Sequence, residues 1–185
     1  NVYGILDDLA PKAVSKAEAE AEQIQQVIKK SGETFALQPW DWAFYAEKVR
    51  QEKYDLDPAL VKPYFEMQSV IHDGLFFAMN KLYGITFKER KDLPVYHEDV
   101  MVFEVFNEDG SAIGLFYMDP YAREGKRGGA WMSAYVSQSG LKDTMPVIYN
   151  AQNIPKPAEG QPTLMTFSEV TTMFHEFGHA AHGLF

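Results

Sequence analysis

Cysteine is absent from all 185 residues. Disulfides and thiolate metal sites are therefore excluded, and a metal here must be held by His, Asp or Glu. The same absence fits a reducing compartment, although an extracellular bacterial enzyme can also do without cysteine. Long apolar runs are missing too: none approaches the roughly 20 residues of a membrane-spanning helix. Positive charge is in deficit, with 17 Lys and Arg against 26 Asp and Glu and a net charge of −9. That balance argues against a nucleic-acid partner and against binding an anionic membrane surface. No internal repeat or low-complexity tract is present. The chain opens on Asn1 rather than Met, which reads as a processed or cut start.

What is present is bulk for a core. Hydrophobic residues make up 46%, including 13 Phe, 10 Tyr and 3 Trp, enough to bury a sizeable interior. The first half has helical periodicity. Val14, Ala17, Ala21, Ile24 and Ile28 recur at spacings of three and four, a stripe opened by Pro11 and closed by Gly32. "PWDWAFYAEKVRQEKY" reads as a second helix with Trp42, Tyr45 and Val49 on one side. A third starts at the capping Asp57 and Pro58, restarts at Pro63 and stops at Gly84.

The period then changes. "VMVFEVF" and "AIGLFYM", joined by "NEDG", predict a hairpin. "ITFKER", "AWMSAYV" and "VIYNAQNI" are candidate strands, and "PKPAEGQP" is a connector. "TFSEVTTMFHEFGHAAHGLF" returns to helix, with Ser168 or Thr166 near its start. The expectation is an α+β arrangement, mostly helical with a small antiparallel sheet: residues 1–92 helical, 93–153 strands and loops, and 163–185 a helix at the carboxyl end.

That last helix carries H-E-x-x-H as His175, Glu176 and His179. Residues four apart on a helix differ by about 40° around the axis and roughly 6 Å along it, so both imidazoles can grip one ion. Zinc accepts imidazole nitrogens at about 2.0–2.1 Å. Glu176 is rotated about 100° from His175, beside the metal without binding it. There a carboxylate can take a proton from a zinc-activated water and pass it to a leaving amine. Met173, Phe174, Phe177, Leu184 and Phe185 surround these polar groups, and apolar neighbours of this kind suit a buried site. His182 lies about 10 Å along the axis from His175, too far to share one tetrahedral ion, so it is expected to support or pack. His72 and His97 are isolated and read as structural or exposed. Gly178, inside the helix, suggests either a close packing neighbour or simple tolerance of a glycine there.

"FHEFGHAAHGLF" resembles the zinc motif of the thimet oligopeptidase-like family of metallopeptidases. "PWDWAFYAEKVR", "FYMDPYAREGKRGGAW" and "PVIYNAQNIPKPAEGQPTLMTFSEVTTMFHEFGH" resemble its bacterial peptidyl-dipeptidase (dipeptidyl carboxypeptidase) branch. The likeness runs from about Gln38 onward. It implies a cytosolic zinc peptidase acting on short peptides, in a mostly helical fold with a deep channel and a small sheet along the site. His175 and His179 match the zinc ligands, and Glu176 matches the general base. The family's third ligand, a glutamate on a later helix, and its oxyanion-stabilising tyrosine and histidine have no counterpart in residues 1–185. The resemblance thus implies a segment of one catalytic domain of a larger peptidase, incomplete by itself. Peptidyl-dipeptidase activity, endo-acting oligopeptidase activity and a silent peptide-binding or assembly module remain the alternatives.

The loop "REGKRGGAW" is a second candidate. Gly128 and Gly129 allow close approach to the backbone, and the strand from Ala130 could take an extended peptide as an added edge strand. Arg123, Lys126 and Arg127 either meet a substrate carboxylate or solvate a turn. "EGKRGG" lacks the spacing and the Ser/Thr of a phosphate-cradling loop.

Overall fold

The computed structural model of the protein describes residues 1–54 and 58–185. The expected cap Asp57 lies outside the described residues. The chain divides into two compact units, Asn1–Leu60 and Val61–Phe185.

The first unit is built on helices α1 (Val2–Lys30) and α2 (Trp42–Tyr54), with α3 (Pro58–Val61) at its end. Helix α1 starts earlier than the sequence pattern suggests. The Asn1 side chain accepts the Tyr3 amide at 3.2 Å, a cap upstream of Pro11, so Pro11 falls inside the helix instead of opening it. Only the far end of the apolar stripe is buried: Ile24, Val27 and Ile28 close on Tyr45, with Trp42 and Val49 packed alongside. Val14 stays exposed. Gly32 does mark the stop, at φ +85°.

In the second unit a 3₁₀ turn over Lys62–Tyr64 holds Pro63. The next long helix begins instead at Met67, where the Glu66 carboxylate accepts the Ser69 amide at 2.9 Å. That helix runs through α4 (Met67–Ser69), a π segment (Val70–Phe76) and α5 (Phe77–Tyr83). It ends at Gly84 in the left-handed conformation, as the sequence predicts. Five strands follow: β1 (Thr86–Glu89), β2 (Met101–Phe106), β3 (Ala112–Tyr121), β4 (Trp131–Val136) and β5 (Val147–Ile154). The β2–β3 hairpin and all three candidate strands form.

The sheet has the order β1-β2-β3-β5-β4. It is mixed rather than antiparallel, because β5 runs parallel to β3 while the other pairings are antiparallel. Strand β4 fills the segment between them in sequence but pairs on the outside of β5, which makes it an edge strand. Gly114 permits this junction: a Cβ there would stand 2.5 Å from the Pro146 carbonyl oxygen. The final element, α6 (Phe167–Leu184), lies on one face of the sheet. Phe177 sits at the centre of that core, edge-on to Phe116, Phe87 and Phe76 at centroid distances of 5.0, 5.7 and 6.4 Å. The opposite face carries Tyr135, stacked on Tyr149 at 4.7 Å and edge-on to Tyr117 at 6.0 Å. No helix among the described residues is long and apolar enough to cross a membrane.

Candidate active site on helix α6

Helix α6 is started by a capping box. Thr166 accepts the Glu169 amide at 3.2 Å, and the Glu169 carboxylate accepts the Thr166 amide at 2.6 Å. Of the two expected starts, Thr166 is the cap. Burial recurring at spacings of three and four residues then fixes the helix rotation. Met173, Phe177, Ala180, Ala181 and Leu184 face the sheet, leaving His175 and His179 on the open side. The apolar residues that suggested a buried motif therefore divide. Met173, Phe177 and Leu184 are in the core, whereas Phe174 and Phe185 are exposed beside exposed histidines.

The His175 and His179 Nε2 atoms stand 3.1 Å apart, with their rings at 81°. Two nitrogens bound at about 2.0–2.1 Å to one tetrahedral zinc would be separated by about 3.3 Å, so this pair fits shared ligation of one ion. Among the described residues, no set of three His, Asp or Glu side chains converges to hold a metal. Glu176 is 9% exposed and turns toward the sheet side of the histidines. With His179, His182 and Gly183 it lines a cleft of about 540 Å³, closed on the other side by Ala130, Trp131 and Met132. The start of edge strand β4 thus faces the general-base candidate across a space a peptide backbone could enter. His182 also lines this cleft. Of the isolated histidines, His72 is exposed, edge-on to Phe76 at 5.3 Å, and His97 accepts the Asp99 amide at 3.3 Å.

One expectation about glycine changes. Nothing lies within 4 Å of a Cβ built on Gly178, so no close neighbour explains it. The close approach is at Gly183, where a Cβ would meet the tip of Met132 and come within 3.0 Å of Ile148 Cδ1. Gly183 is thus the residue that seats α6 against β4 and β5. In the loop, Gly128 and Gly129 have open space around them, and Gly129 needs its glycine for φ +87°.

The three loop cations separate. Arg123 donates to both carboxylate oxygens of Asp119 at 2.6 and 2.7 Å. Lys126 Nζ donates to Asp119 Oδ1 at 3.0 Å and to the Asp119 and Tyr121 carbonyls at 2.8 and 2.7 Å. Both pair with Asp119, an outcome outside the two alternatives, a substrate carboxylate or a solvated turn, that the sequence offered. Arg127 is exposed, with its guanidinium 4.6 Å from the Trp131 ring centroid. Gly128, Gly129 and Arg127 are not among the residues that line the α6 cleft.

Sequence reasoning missed Asp119. It is 2% exposed and also accepts the Tyr96 hydroxyl at 2.9 Å. Burial alone would raise its pKa, but donors from Arg123, Lys126 and Tyr96 outweigh that and hold it below the ordinary carboxylate value. Burial and the facing carboxylate push the Tyr96 phenol strongly up. Burial also lowers the Lys126 ammonium, against its bond to Asp119. A signal was available: an acid inside the otherwise apolar strand "AIGLFYMDPY" has to be paired.

Comparison with known proteins agrees with the resemblance seen in the motifs. The profile of the family described as "Peptidase family M3" matches residues 1–185. Dipeptidyl carboxypeptidase of Escherichia coli (strain K12) is 53% identical over 178 residues, covering 96% of this chain and 26% of that protein. Oligopeptidase A of the same organism is 44% identical over 184 residues, covering 98% of the chain and 27% of that protein. A probable thimet oligopeptidase of Arabidopsis thaliana is 28% identical, with 96% of the chain and 26% of that protein covered. The chain therefore spans about a quarter of the length of these relatives.

Proposed function

The chain belongs to peptidase family M3, and we propose that it supplies the general base and two metal ligands of a zinc peptidase active site, as part of one catalytic domain in a longer cytosolic protein. The observation that carries this reading is the pair of Nε2 atoms 3.1 Å apart on α6, next to a cleft where Glu176 faces an edge strand. His175 and His179 would hold the ion. Bound there, zinc would supply the Lewis acidity that makes water a nucleophile near neutral pH. Glu176 would accept the proton of the attacking water and return it to the leaving amine nitrogen. Glu176 does not converge with the two imidazoles as a third ligand, which suits a base better than a ligand. The third ligand and the groups that stabilise the oxyanion would come from outside residues 1–185.

The substrates in this reading are short peptides. Strand β4 is an edge, with Ala130 and Trp131 at the cleft, so an extended peptide could add to it through main-chain hydrogen bonds. Gly128 and Gly129 leave the approach open, and Arg127 is the one loop cation not committed to Asp119. Release of carboxy-terminal dipeptides is favoured by the likeness to dipeptidyl carboxypeptidase. The second reading, internal cleavage of oligopeptides, is supported by the likeness to oligopeptidase A.

The test is Glu176→Gln in the full-length protein, with zinc content and peptide cleavage measured together. Cleavage should fall by about 10²–10⁴-fold while zinc stays bound. Loss of zinc would make Glu176 structural, and unchanged cleavage would remove its role. The 185-residue chain alone should bind zinc weakly and turn over no peptide. Tight stoichiometric binding with rapid turnover would place a third ligand within residues 1–185.

A further inference from the structure

Loop 122–130 has the composition of a mobile turn, with three cations and the glycines 125, 128 and 129. It is nevertheless tied down at both ends. Its first half is pinned from β3 through Asp119. Arg123 makes two bonds to that carboxylate, and Lys126, whose side chain is only 4% exposed, makes three bonds to Asp119 and Tyr121 oxygens. Its second half is pinned from β5. The Asn153 side-chain nitrogen donates to the Arg127 carbonyl at 2.8 Å and to the Gly129 carbonyl at 2.7 Å. The left-handed Gly129 then turns the chain into Ala130 and β4. The residues released by this turn, Ala130 and Trp131, line with Met132 the side of the cleft opposite Glu176 and His179.

We infer that Asp119 and Asn153 are positioning residues that hold loop 122–130 so that the first residues of β4 stand at a fixed distance from Glu176. The inference rests on the peptidase reading above. Neither residue lines the cleft, so each acts through the backbone it holds. The physical reason for two anchors is pre-organisation: an edge strand that must accept a peptide loses affinity if it has to be ordered at each binding event. Both bonds of Asn153 use one amide nitrogen, so a single donor governs the second half of the loop.

The experiment uses the full-length protein with Asp119→Asn and Asn153→Asp. The first variant leaves a buried lysine side chain and a half-buried arginine short of their counter-charge and is at risk of misfolding. The second is close to isosteric. It replaces the shared donor with an oxygen that faces two carbonyls, and its site is only half-buried. Trypsin reports the loop directly, because Arg123, Lys126 and Arg127 are its cleavage points. Asn153→Asp should raise the rate of cutting within 122–130 about tenfold and raise KM for a short peptide by a similar factor, with kcat changed less than about twofold. Unchanged tryptic cutting would overturn the anchoring. Faster cutting with unchanged KM would overturn the positioning role and leave the zinc peptidase reading standing. A fall confined to kcat would likewise refute an effect on peptide placement. A wild-type protein inert toward peptides would sink the peptidase reading, and the substrate half of this inference with it, which the tryptic result would separate from the anchoring itself.

Discussion

Helix α6 lines the cleft directly and loop 122–130 reaches it only at Ala130, and the two are legible to different degrees. On α6 the chemistry is set by spacing. Four residues bring His175 and His179 onto one side, and the Nε2 atoms meet at 3.1 Å without help from any other element. In the loop the chemistry is set by how the turn folds back on the end of its own strand, β3. Arg123, Lys126 and Arg127 look equivalent in sequence, but two close on Asp119 and the third lies over Trp131. Helix geometry is local and can be counted. The partners of the loop cations are also near in sequence, but which cation a turn returns to Asp119 depends on its irregular backbone path, and no periodic spacing gives that.

The largest effect that separates the two regions should be on metal. His179→Ala in the full-length protein should lower zinc affinity by more than the roughly 10–100-fold that loss of an outer partner costs. Arg123→Ala should leave zinc content unchanged. Zinc stoichiometry after dialysis, measured on both variants, checks this. Equal zinc loss would mean that the loop supports the metal face, and the division of labour would collapse.

A second contrast lies within α6 itself. Phe177 is 1% exposed in the aromatic core and Phe174 is 38% exposed on the open side. Phe177→Ala should cost about 3–5 kcal/mol, and Phe174→Ala about 0.5 kcal/mol, read from denaturant midpoints of the 185-residue chain. Comparable losses would show that the open side of α6 is covered in solution, as self-association through Phe174 and Phe185 would do.

What could be read from the sequence follows the same division. The hairpin, the three further strands, the Gly84 stop and the helix carrying H-E-x-x-H were all legible, because period and turn residues act over a few positions. The mixed sheet was not. Nothing in "VIYNAQNI" says that it enters parallel to β3 and pushes β4 to the edge. The start of α1 was missed because Pro11 looked like a beginning when Asn1 had already capped the helix. The rotation of α6 was only half legible, since Phe174 and Phe177 are the same residue type and only the packed sheet distinguishes them.

Asp119 allows the loop to be probed by pH. Its folded pKa is held below the ordinary value, so its contribution is present above the unfolded value of about 3.9 and is lost as pH falls through the folded one. Asp119→Asn should therefore destabilise the protein by about 3 kcal/mol near pH 7. The gap to wild type should narrow as pH drops below about 4. Stability curves at pH 7, 5 and 3 decide it. A gap that stays constant with pH would show that the asparagine perturbs packing instead of removing a paired charge.

The smallest expected effect concerns the two glycines of α6. At Gly178 a Cβ would meet nothing within 4 Å, so Gly178→Ala should simply gain helix propensity, up to about 1 kcal/mol. For a chain of this size that corresponds to a rise in Tm of roughly 2–4 °C. At Gly183 the same gain is opposed. The new Cβ would meet Met132, whose flexible tip can swing away, and Ile148 Cδ1 at 3.0 Å, whose branched chain is held in the core. Crowding of this kind costs about 1–3 kcal/mol, so Gly183→Ala should lower Tm. Two melting curves on the 185-residue chain distinguish these outcomes. A rise at both positions would mean that α6 can shift away from β4, and the cleft between Glu176 and Ala130 would then have no fixed width. A rise at Gly178 in this chain but a fall in the full-length protein would locate, on the His175–His179 side of α6, a packing neighbour contributed by the rest of the protein.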